Sequence, residues 1–431
     1  MILYQGIIEE NSQLKTRLAS LKDDCYETLN HAHPLETDWV IQACNQLTQK
    51  IIAKQFDHII QPLLTQYDIP EAHFKHYLKM FSQEALEQKV AFELNPQSMK
   101  TTTDETHERK LYPLGILFHI AAGNIDVLPA YSVIEGLLAG NINILKLPTG
   151  DQGVSVTLLN ALIQIEPRLK PYIYVFDVPS TDQETLLQFS KIADAIVVWG
   201  GDDAVKAARV MATANTKIID WGHKLSFAYA SLDASDTDLK ALAQNIFSTN
   251  QLLCSSAQGI YVDTRDYAEL DRFAERFFNI MKGMHADYQP VPLGIRSQHT
   301  LELYYEQIIQ KDTQKTIFKH REFSVVACRD QRLEPSLLFR NVWVKTLPKE
   351  AIINTLKPHK NHLQTASILA SKDSYHSYQE LLIKAGVVRI KAPNEMSYTH
   401  TNESHDGMLP LRLYTRIVDC VVPRNDLNHK K

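Results

Sequence analysis

Residues 113–149, PLGILFHIAAGNIDVLPAYSVIEGLLAGNINILKLPT, decide the fold of the chain. Leu114–Ile120 is a short apolar run rich in branched residues, which is typical of a buried parallel strand. A break over residues 121–124 follows. Apolar residues then recur at the spacing of a helix that Asp126 can cap. The stretch therefore begins with a strand, a turn and a helix.

The second half of the same stretch completes a βαβ unit. Gly140 and Asn141 end the helix in the way that a left-handed cap requires. Ile142–Leu147 predicts the second strand, with Lys146 and Thr149 at its carboxyl end. Ligands of open α/β sheets bind at the carboxyl ends of the strands, so these two residues are candidates for a binding site.

Strand and helix patterns keep alternating after this unit, which predicts a mostly parallel sheet. Buried strands are predicted near residues 172–178, 195–199, 217–220, 225–230 and 258–262. A second set of strands is predicted near 342–345, 366–370 and 387–390, and the tail at 411–422 is strand-like. Residues 7–114 contain no glycine and are rich in helix-forming residues, so they predict a helical region.

Length and composition describe an ordinary globular protein that is large enough for two to three domains, with 431 residues, 44% hydrophobic and 22% charged. A net charge of −5 and the lack of a basic cluster argue against nucleic acid as a partner. No signal peptide is evident, and charged residues interrupt residues 113–149 too often for a membrane span. Five cysteines without CxxC spacing indicate a reducing cytoplasm, no disulfide framework and no zinc site.

The order and spacing of these features resemble the aldehyde dehydrogenase superfamily. Within it, they are most similar to the acyl-CoA reductase family that includes the fatty-acid reductase of bacterial bioluminescence. The resemblance covers roughly residues 95–425. It implies an α/β fold with two Rossmann-like three-layer domains, an N-terminal helical region and a C-terminal oligomerisation strand. The implied boundaries are 1–94 for the helical region, 95–227 for the nucleotide-binding domain with a bridging segment near 95–112, 228–405 for the catalytic domain and 406–431 for the closing segment.

Two residues match the centre of the superfamily's chemistry. Cys254, in NQLLCSSAQ, lies in a loop before a strand and matches the nucleophile, which holds an acyl group as a thioester. Asn124, in AAGN, matches the oxyanion-hole asparagine. The alternatives are a buried structural cysteine for the first and a turn-capping asparagine for the second.

Residues of the nucleotide-binding domain match the cofactor contacts of the family. Lys146 matches the lysine that holds the adenosine ribose, and its alternative is a solvated surface lysine. Gly200 and Gly201 resemble the turn that seats the pyrophosphate at a helix N-terminus. The two acidic residues behind them would repel a phosphate if they faced it. Thr149 stands where relatives that prefer NAD carry a carboxylate, which predicts NADPH as the cofactor.

Three further positions stay open at this point. Asp220 stands where aldehyde-oxidising relatives carry a water-activating glutamate, and a structural role is an equal alternative. His223 is a candidate acid, although a non-catalytic histidine is the simpler interpretation. Glu334 precedes the strand where relatives hold the nicotinamide ribose, but it does not fit the register.

The implied reaction is NADPH-dependent reduction of a fatty acyl thioester, donated by acyl-CoA or an acyl-protein, to the aldehyde through a Cys254 thioester. The alternatives are an aldehyde dehydrogenase that works oxidatively with Asp220 as base, a cysteine acyltransferase without hydride transfer, and a catalytically idle nucleotide-binding subunit. The resemblance further implies a homo-oligomer, built through the segment HDGMLPLRLYTRIVDCVV, and a possible acyl-transfer partner enzyme.

Overall fold

A computed structural model of the chain describes residues 1–31, 34–66, 71–94, 107–121, 127–149, 151–309, 315–400 and 402–421. The chain divides into two compact units. Unit 1 consists of Met1–Gly222 with His400–Lys431, and unit 2 consists of His223–Thr399.

The strands are β1 Ile2–Tyr4, β2 Ile7–Glu9, β3 His107–Pro113, β4 Ile116–Ile120, β5 Ile142–Lys146, β6 Ile173–Phe176, β7 Ala195–Trp199, β8 Lys217–Trp221, β9 Leu225–Ala230, β10 Ala257–Val262, β11 Lys315–Lys319, β12 Ser324–Cys328, β13 Asn341–Thr346, β14 Leu363–Leu369, β15 Arg389–Ile390 and β16 Thr415–Val421.

The α-helices are α1 Leu14–Leu29, α2 Thr37–Ile52, α3 Asp57–Gln66, α4 Glu71–Leu78, α5 Gln83–Leu94, α6 Leu128–Leu138, α7 Val154–Ile165, α8 Gln183–Ile192, α9 Asp202–Met211, α10 Asp236–Thr249, α11 Tyr267–Met284, α12 Leu293–Ile309, α13 Ile352–Leu356, α14 Lys372–Ala385 and α15 Pro410–Leu413.

Seven of the described strands of unit 1 form a sheet in the order β2-β1-β6-β5-β4-β7-β8. The run from β6 to β8 is parallel, and β1 joins it antiparallel to β6. The strand order reverses between β4 and β7. Open α/β sheets bind ligands at such a point, outside the carboxyl ends of the strands.

The βαβ unit predicted over residues 113–149 is confirmed as β4, α6 and β5, with β4 and β5 parallel. Gly140 has φ +84, so the left-handed helix end is confirmed as well. Its N–H donates to the Leu137 carbonyl, and the Asn141 N–H donates to the Gly136 carbonyl. Asp126, the proposed cap, lies outside the described residues.

The helical prediction for the first part of the chain is wrong at both of its ends. Residues 2–9 form β1 and β2, and β1 pairs with β6, which extends the sheet of unit 1. Residues 107–113 form β3. The helices between these strands do not form a core of their own. Buried Val40, Ile41 and Leu47 of α2 share one apolar cluster with α6 and α7.

Unit 2 contains a second seven-stranded sheet, in the order β11-β12-β13-β10-β9-β14-β15 among its described strands. Every neighbouring pair is parallel except β11 with β12. The hairpin of β11 and β12 was missed at the sequence level. The reason is visible in β11, KTIFK, whose five residues are all only partly buried and which lies at the edge of the sheet.

The strand-like tail consists of the short helix α15 and then β16. β16 pairs antiparallel with β3 over seven residues, from Thr415 opposite Pro113 to Val421 opposite His107. The two strands form a separate two-stranded ribbon in unit 1. Along the parts of the chain that the structure describes, no helix is both long and apolar enough to cross a membrane.

Candidate active site

Cys254 lies in the turn between α10 and β10, three residues before the strand begins. Its side chain is exposed, which excludes the alternative of a buried structural cysteine. The Gln364 side-chain amide donates a hydrogen bond to the Cys254 sulfur, with Nε2 3.2 Å from Sγ. The Ser226 hydroxyl donates to the Cys254 carbonyl at 2.7 Å. The nucleophile candidate is therefore accessible and held at two points.

Three of the other four cysteines are poor nucleophiles by comparison. Cys25, Cys44 and Cys328 are buried. Burial raises the pKa of the first two thiols to about 12 and that of Cys328 to about 11. A thiolate is the reactive form of cysteine, so these three side chains are inert at neutral pH.

Strained backbone and a buried arginine support the start of the Cys254 loop. Asn250 and Gln251 have φ +48 and +60, which for residues other than glycine is uncommon. Arg340 is 2% exposed, and its Nε donates to Asn250 Oδ1 at 2.9 Å. The Phe339 N–H donates to the Asn250 carbonyl at 2.8 Å. Such strain persists only where surrounding contacts hold it, and it is concentrated at functional sites.

Lys146 is the last residue of β5 and is 3% exposed, so the surface-lysine alternative is wrong. Its ammonium donates to the Ser180 hydroxyl at 3.0 Å. Burial lowers the pKa of Lys146, and the nearby Asp177 carboxylate opposes that shift. A cation kept dry at the carboxyl end of a strand is suited to bind an anionic or hydroxyl-rich ligand.

Gly200 and Gly201 connect β7 to α9, on one side of the point where the strand order reverses. Gly201 is the N-cap of α9, and a Cβ built there would meet nothing within 4 Å, so a ligand can approach its backbone. Asp203 of the first turn is fully exposed and accepts from Lys206 at 3.3 Å. Thr149 is exposed in the turn after β5. These positions fit a nucleotide at the carboxyl edge of the unit 1 sheet.

Asn124 lies outside the described residues, so its role stays a prediction. Asp220 is the penultimate residue of β8, at the edge of the unit 1 sheet, with its side chain 41% exposed. Arg209 Nη2 lies 3.8 Å from its carboxylate. His223 is exposed, and its carbonyl accepts from His362 Nδ1 at 3.0 Å. Neither contact assigns a catalytic role to Asp220 or His223.

Glu334 has a structural use in unit 2. Its carboxylate accepts at 2.6 Å from Lys345, which is fully buried on β13. The same ammonium donates to Asp330 at 2.7 Å. The ion pair with Lys345 is thus a sufficient structural reason for a carboxylate at position 334, and no contact with a nicotinamide ribose is needed to explain it. In the described ranges, no group of three or more His, Cys, Asp or Glu side chains could hold a metal ion.

Sequence reasoning missed Gln364, Ser226 and Ser180, the side chains that contact the predicted site residues. Gln364 and Ser226 are buried polar residues at the second position of the strands LQTASIL and LSFAYA. A buried polar residue at a strand entry is a usable signal, because it needs a partner there. The partner itself could not be deduced, since Cys254 is 110 residues away from Gln364 along the chain.

The fold defined by these two units is that of the aldehyde dehydrogenases. Methylmalonate-semialdehyde dehydrogenase from Oceanimonas doudoroffii superposes with a TM-score of 0.71 at 14% identity, covering 99% of each chain. Putative aldehyde dehydrogenase PutA from Anabaena variabilis gives 0.68 at 15% identity, covering 96% of this chain and 94% of that one. A 3,6-anhydro-L-galactose dehydrogenase solved in complex with NAP gives 0.65 at 15% identity, covering 98% and 96%. Identities this low show the fold alone.

The chain belongs to the acyl-CoA reductase (LuxC) family, whose model matches residues 32–417. Long-chain acyl-protein thioester reductase 2 of Photobacterium leiognathi is 25% identical over 323 residues, which are 70% of this chain and 63% of that protein. Long-chain acyl-protein thioester reductase of Aliivibrio fischeri is 25% identical over 330 residues, 73% and 66% of the two chains. The match thus spans a little less than two thirds of the length of these relatives.

Proposed function

We propose that the protein reduces a fatty acyl thioester, donated by acyl-CoA or an acyl-protein, to the aldehyde. The observation that carries this proposal is the exposed side chain of Cys254. The chain belongs to a family in which similar proteins are named long-chain acyl-protein thioester reductases. Attack of the Cys254 thiolate on the acyl carbonyl forms an enzyme thioester and releases the donor thiol. Addition of hydride and a proton to this thioester yields the aldehyde and restores the cysteine.

The oxyanion formed during attack needs hydrogen-bond donors that are already in place. By the family resemblance, the Asn124 amide and the Cys254 backbone N–H serve this purpose. Reduction needs no activated water, which agrees with a short Asp220 where oxidising relatives carry glutamate. We propose Asp220 as a further catalytic candidate and assign no role to His223.

We infer that NADPH is the cofactor and that it binds at the carboxyl edge of the unit 1 sheet. When bound, the reduced nicotinamide supplies the hydride. Lys146 and the Thr149 hydroxyl would hold the adenosine ribose and its 2′-phosphate. Gly200 and Gly201 at the N-terminus of α9 would hold the pyrophosphate, supported by the open space at Gly201 and by the helix dipole. Asp202 and Asp203 of the same turn oppose an anion, which makes the lysine contact the more important one.

We also propose a homo-oligomer that covers the β3–β16 ribbon. A two-stranded ribbon is marginally stable by itself in water. It leaves apolar side chains exposed, with Tyr112 at 45%, Ile417 at 53% and Val421 at 70%. The cytoplasm is the expected compartment, because it keeps the nucleophilic thiol reduced.

One assay separates the candidate functions. The protein is mixed with a series of C8–C18 acyl-CoAs and with NADPH or NADH, and both nicotinamide absorbance and aldehyde are measured. NADPH consumption with equimolar aldehyde supports the proposal. Covalent acylation without NADPH consumption indicates an acyltransferase, aldehyde oxidation alone indicates an oxidative dehydrogenase, and neither reaction indicates an idle subunit.

A further inference from the structure

The second residues of β9 and β14, Ser226 and Gln364, contact the backbone and the sulfur of Cys254, respectively. Ser226 Oγ donates to the Cys254 carbonyl at 2.7 Å and accepts from the Thr365 N–H at 3.1 Å. Ser226 and Thr365 are 0% exposed and Gln364 is 5% exposed. Cys254 therefore has an exposed side chain but is hydrogen-bonded to buried residues of the unit 2 sheet.

A chain of hydrogen bonds determines which end of the Gln364 amide faces the sulfur. Arg389 can only donate, and its Nε lies 2.9 Å from Thr365 Oγ1, so this hydroxyl accepts there. The Thr365 hydroxyl can then donate its own hydrogen to Gln364 Oε1, which lies 3.4 Å away. With the oxygen engaged, the NH₂ group of Gln364 is directed at Cys254 Sγ, 3.2 Å away. The charged guanidinium thus fixes a donor, and not an acceptor, against the nucleophile.

Such a donor changes the acidity of the thiol. A hydrogen bond to the charged form of a group favours that form, and bonds to a charged acceptor are stronger than neutral ones. The Cys254 loop also directly follows the C-terminus of α10, the negative pole of a helix, which disfavours an anion. A thiolate at this position therefore benefits from an added donor.

We propose that Gln364 is a catalytic residue that stabilises the Cys254 thiolate, with Thr365 and Arg389 as positioning residues that orient its amide. The inference deepens the proposed function, because it assigns to the same nucleophile the group that activates it.

The test measures the reactivity of Cys254 by itself, without acyl donor or nucleotide. Alkylation by iodoacetamide is followed from pH 5 to 10 by peptide mass mapping of Cys254, in the parent and in Gln364→Met, which keeps the length of the side chain but has no donor. We expect the midpoint of the profile to rise by about one pH unit. Below the midpoint the thiolate fraction is then about tenfold smaller. Because the less stabilised thiolate is also more reactive, alkylation there is about threefold slower.

The plateau at high pH gives an independent signature. A less stabilised thiolate is intrinsically more nucleophilic, so the plateau of Gln364→Met should exceed that of the parent by about threefold. A loss of packing alone would not slow the reaction at low pH and accelerate it at high pH. Thr365→Val, which removes the hydroxyl that orients the amide, should shift the midpoint in the same direction by a smaller amount.

Ser367→Ala is the matched control, since Ser367 is a fully buried hydroxyl on the same strand. Its profile should coincide with that of the parent. The proposal would be overturned if the alkylation midpoints of Gln364→Met and Thr365→Val both lay within about 0.2 pH unit of the parent midpoint. If one of these variants does not fold, the midpoint of the other decides. A shifted midpoint in a protein that makes no aldehyde would support Gln364 and reject the reductase, so the two failures are distinguishable.

Discussion

The two units place their candidate residues at opposite ends of similar sheets. In unit 1, Lys146 ends β5 and Gly200 follows β7, so both lie at the carboxyl edge. In unit 2, Cys254 precedes β10 and Gln364 is the second residue of β14, so both lie at the amino edge. Both sheets consist mostly of parallel strands. The units therefore differ in which edge of the sheet carries the candidate residues and not in the type of sheet.

The difference has an electrostatic consequence. Loops at the carboxyl edge lead into helix N-termini, whose free N–H groups and dipole attract phosphate. Loops at the amino edge follow helix C-termini, which offer carbonyl groups instead. A nucleotide can thus use the backbone of unit 1, whereas an anionic sulfur in unit 2 must obtain its donors from side chains such as Gln364.

The largest effect that sharpens this comparison is expected at Asn124, the side-chain donor that the family resemblance assigns to the oxyanion. Loss of one oxyanion donor typically slows the chemical step by about 10² to 10³. Asn124→Ala should therefore reduce the rate of Cys254 acylation by about that factor, measured by intact mass in single-turnover experiments, with an unchanged melting temperature.

A rate within threefold of the parent, or a collapsed melting temperature, would instead assign Asn124 to capping its own turn. The conservative Asn124→Gln variant distinguishes a misplaced donor from a missing one, since it retains the amide.

The second effect concerns the stability of unit 1 and its dependence on pH. His119, on β4, is fully buried, with Nε2 3.0 Å from Asn143 Oδ1 and Nδ1 2.7 Å from Ser132 Oγ. Asn143 Nδ2 donates to the Asn141 carbonyl at 2.7 Å, so Oδ1 faces the ring and Nε2 carries the proton. Burial lowers the pKa of His119 from 6.5 to about 4, while the bond to Asn143 opposes the shift.

A lowered pKa in the folded state means that the contribution of neutral His119 is fully present above pH 6.5 and is lost as the pH falls towards 4. Between pH 7.5 and 4.5 this loss is about 2–3 kcal/mol of the free energy of unfolding. In urea unfolding, His119→Gln should lose that much less stability than the parent over the same range. His31→Gln, at an exposed position, is the control, and equal slopes for all three proteins would contradict the assignment.

The smallest effect concerns the choice of nucleotide at the carboxyl edge of unit 1. Thr149 is exposed, so an introduced carboxylate would repel a 2′-phosphate through water, by ~1 kcal/mol per unit charge at ~4 Å. A phosphate carries about −1.5 to −2 charges, which gives about a tenfold effect. Thr149→Glu should weaken NADPH binding by about tenfold and leave NADH nearly unchanged.

The measurement is the pair of dissociation constants, from quenching of intrinsic tryptophan fluorescence, in the parent and in Thr149→Glu. Thr149→Gln serves as the control for size. A parent that prefers NADH, or a variant that loses both nucleotides equally, would reject the assignment of Thr149 and of NADPH.

Elements with a strong apolar period could be predicted from the sequence. β7 and β9 occur over the predicted residues, 195–199 and 225–230, because both are buried strands whose mostly apolar runs are visible in the sequence. β1, β2 and β3 could not be predicted. They are short or partly exposed. β1 pairs with β6 and β3 pairs with β16, in each case with a strand more than 160 residues away, and β2 pairs in turn with β1.

The candidate site follows the same division. Lys146 and Cys254 stand next to predicted strands, so their placement at strand ends was predictable. Their contacts with Ser180 and Gln364 depend on loops and strands that the sequence does not connect. The contact of Gln364 with Cys254 depends on the strand order β10-β9-β14. This order brings Gln364, the second residue of β14, beside the loop that precedes β10, although the two residues are 110 positions apart in the chain.

The central claim is that Cys254 carries the acyl group during reduction. The direct test is the intact mass of the parent and of Cys254→Ala after addition of fatty acyl-CoA, and again after addition of NADPH. The parent should gain the mass of one acyl group and lose it on addition of NADPH, with an equal amount of aldehyde formed. Cys254→Ala should show neither change while it still binds NADPH. Aldehyde formation by Cys254→Ala, or an acyl adduct on the parent that persists after NADPH is added, would contradict the account.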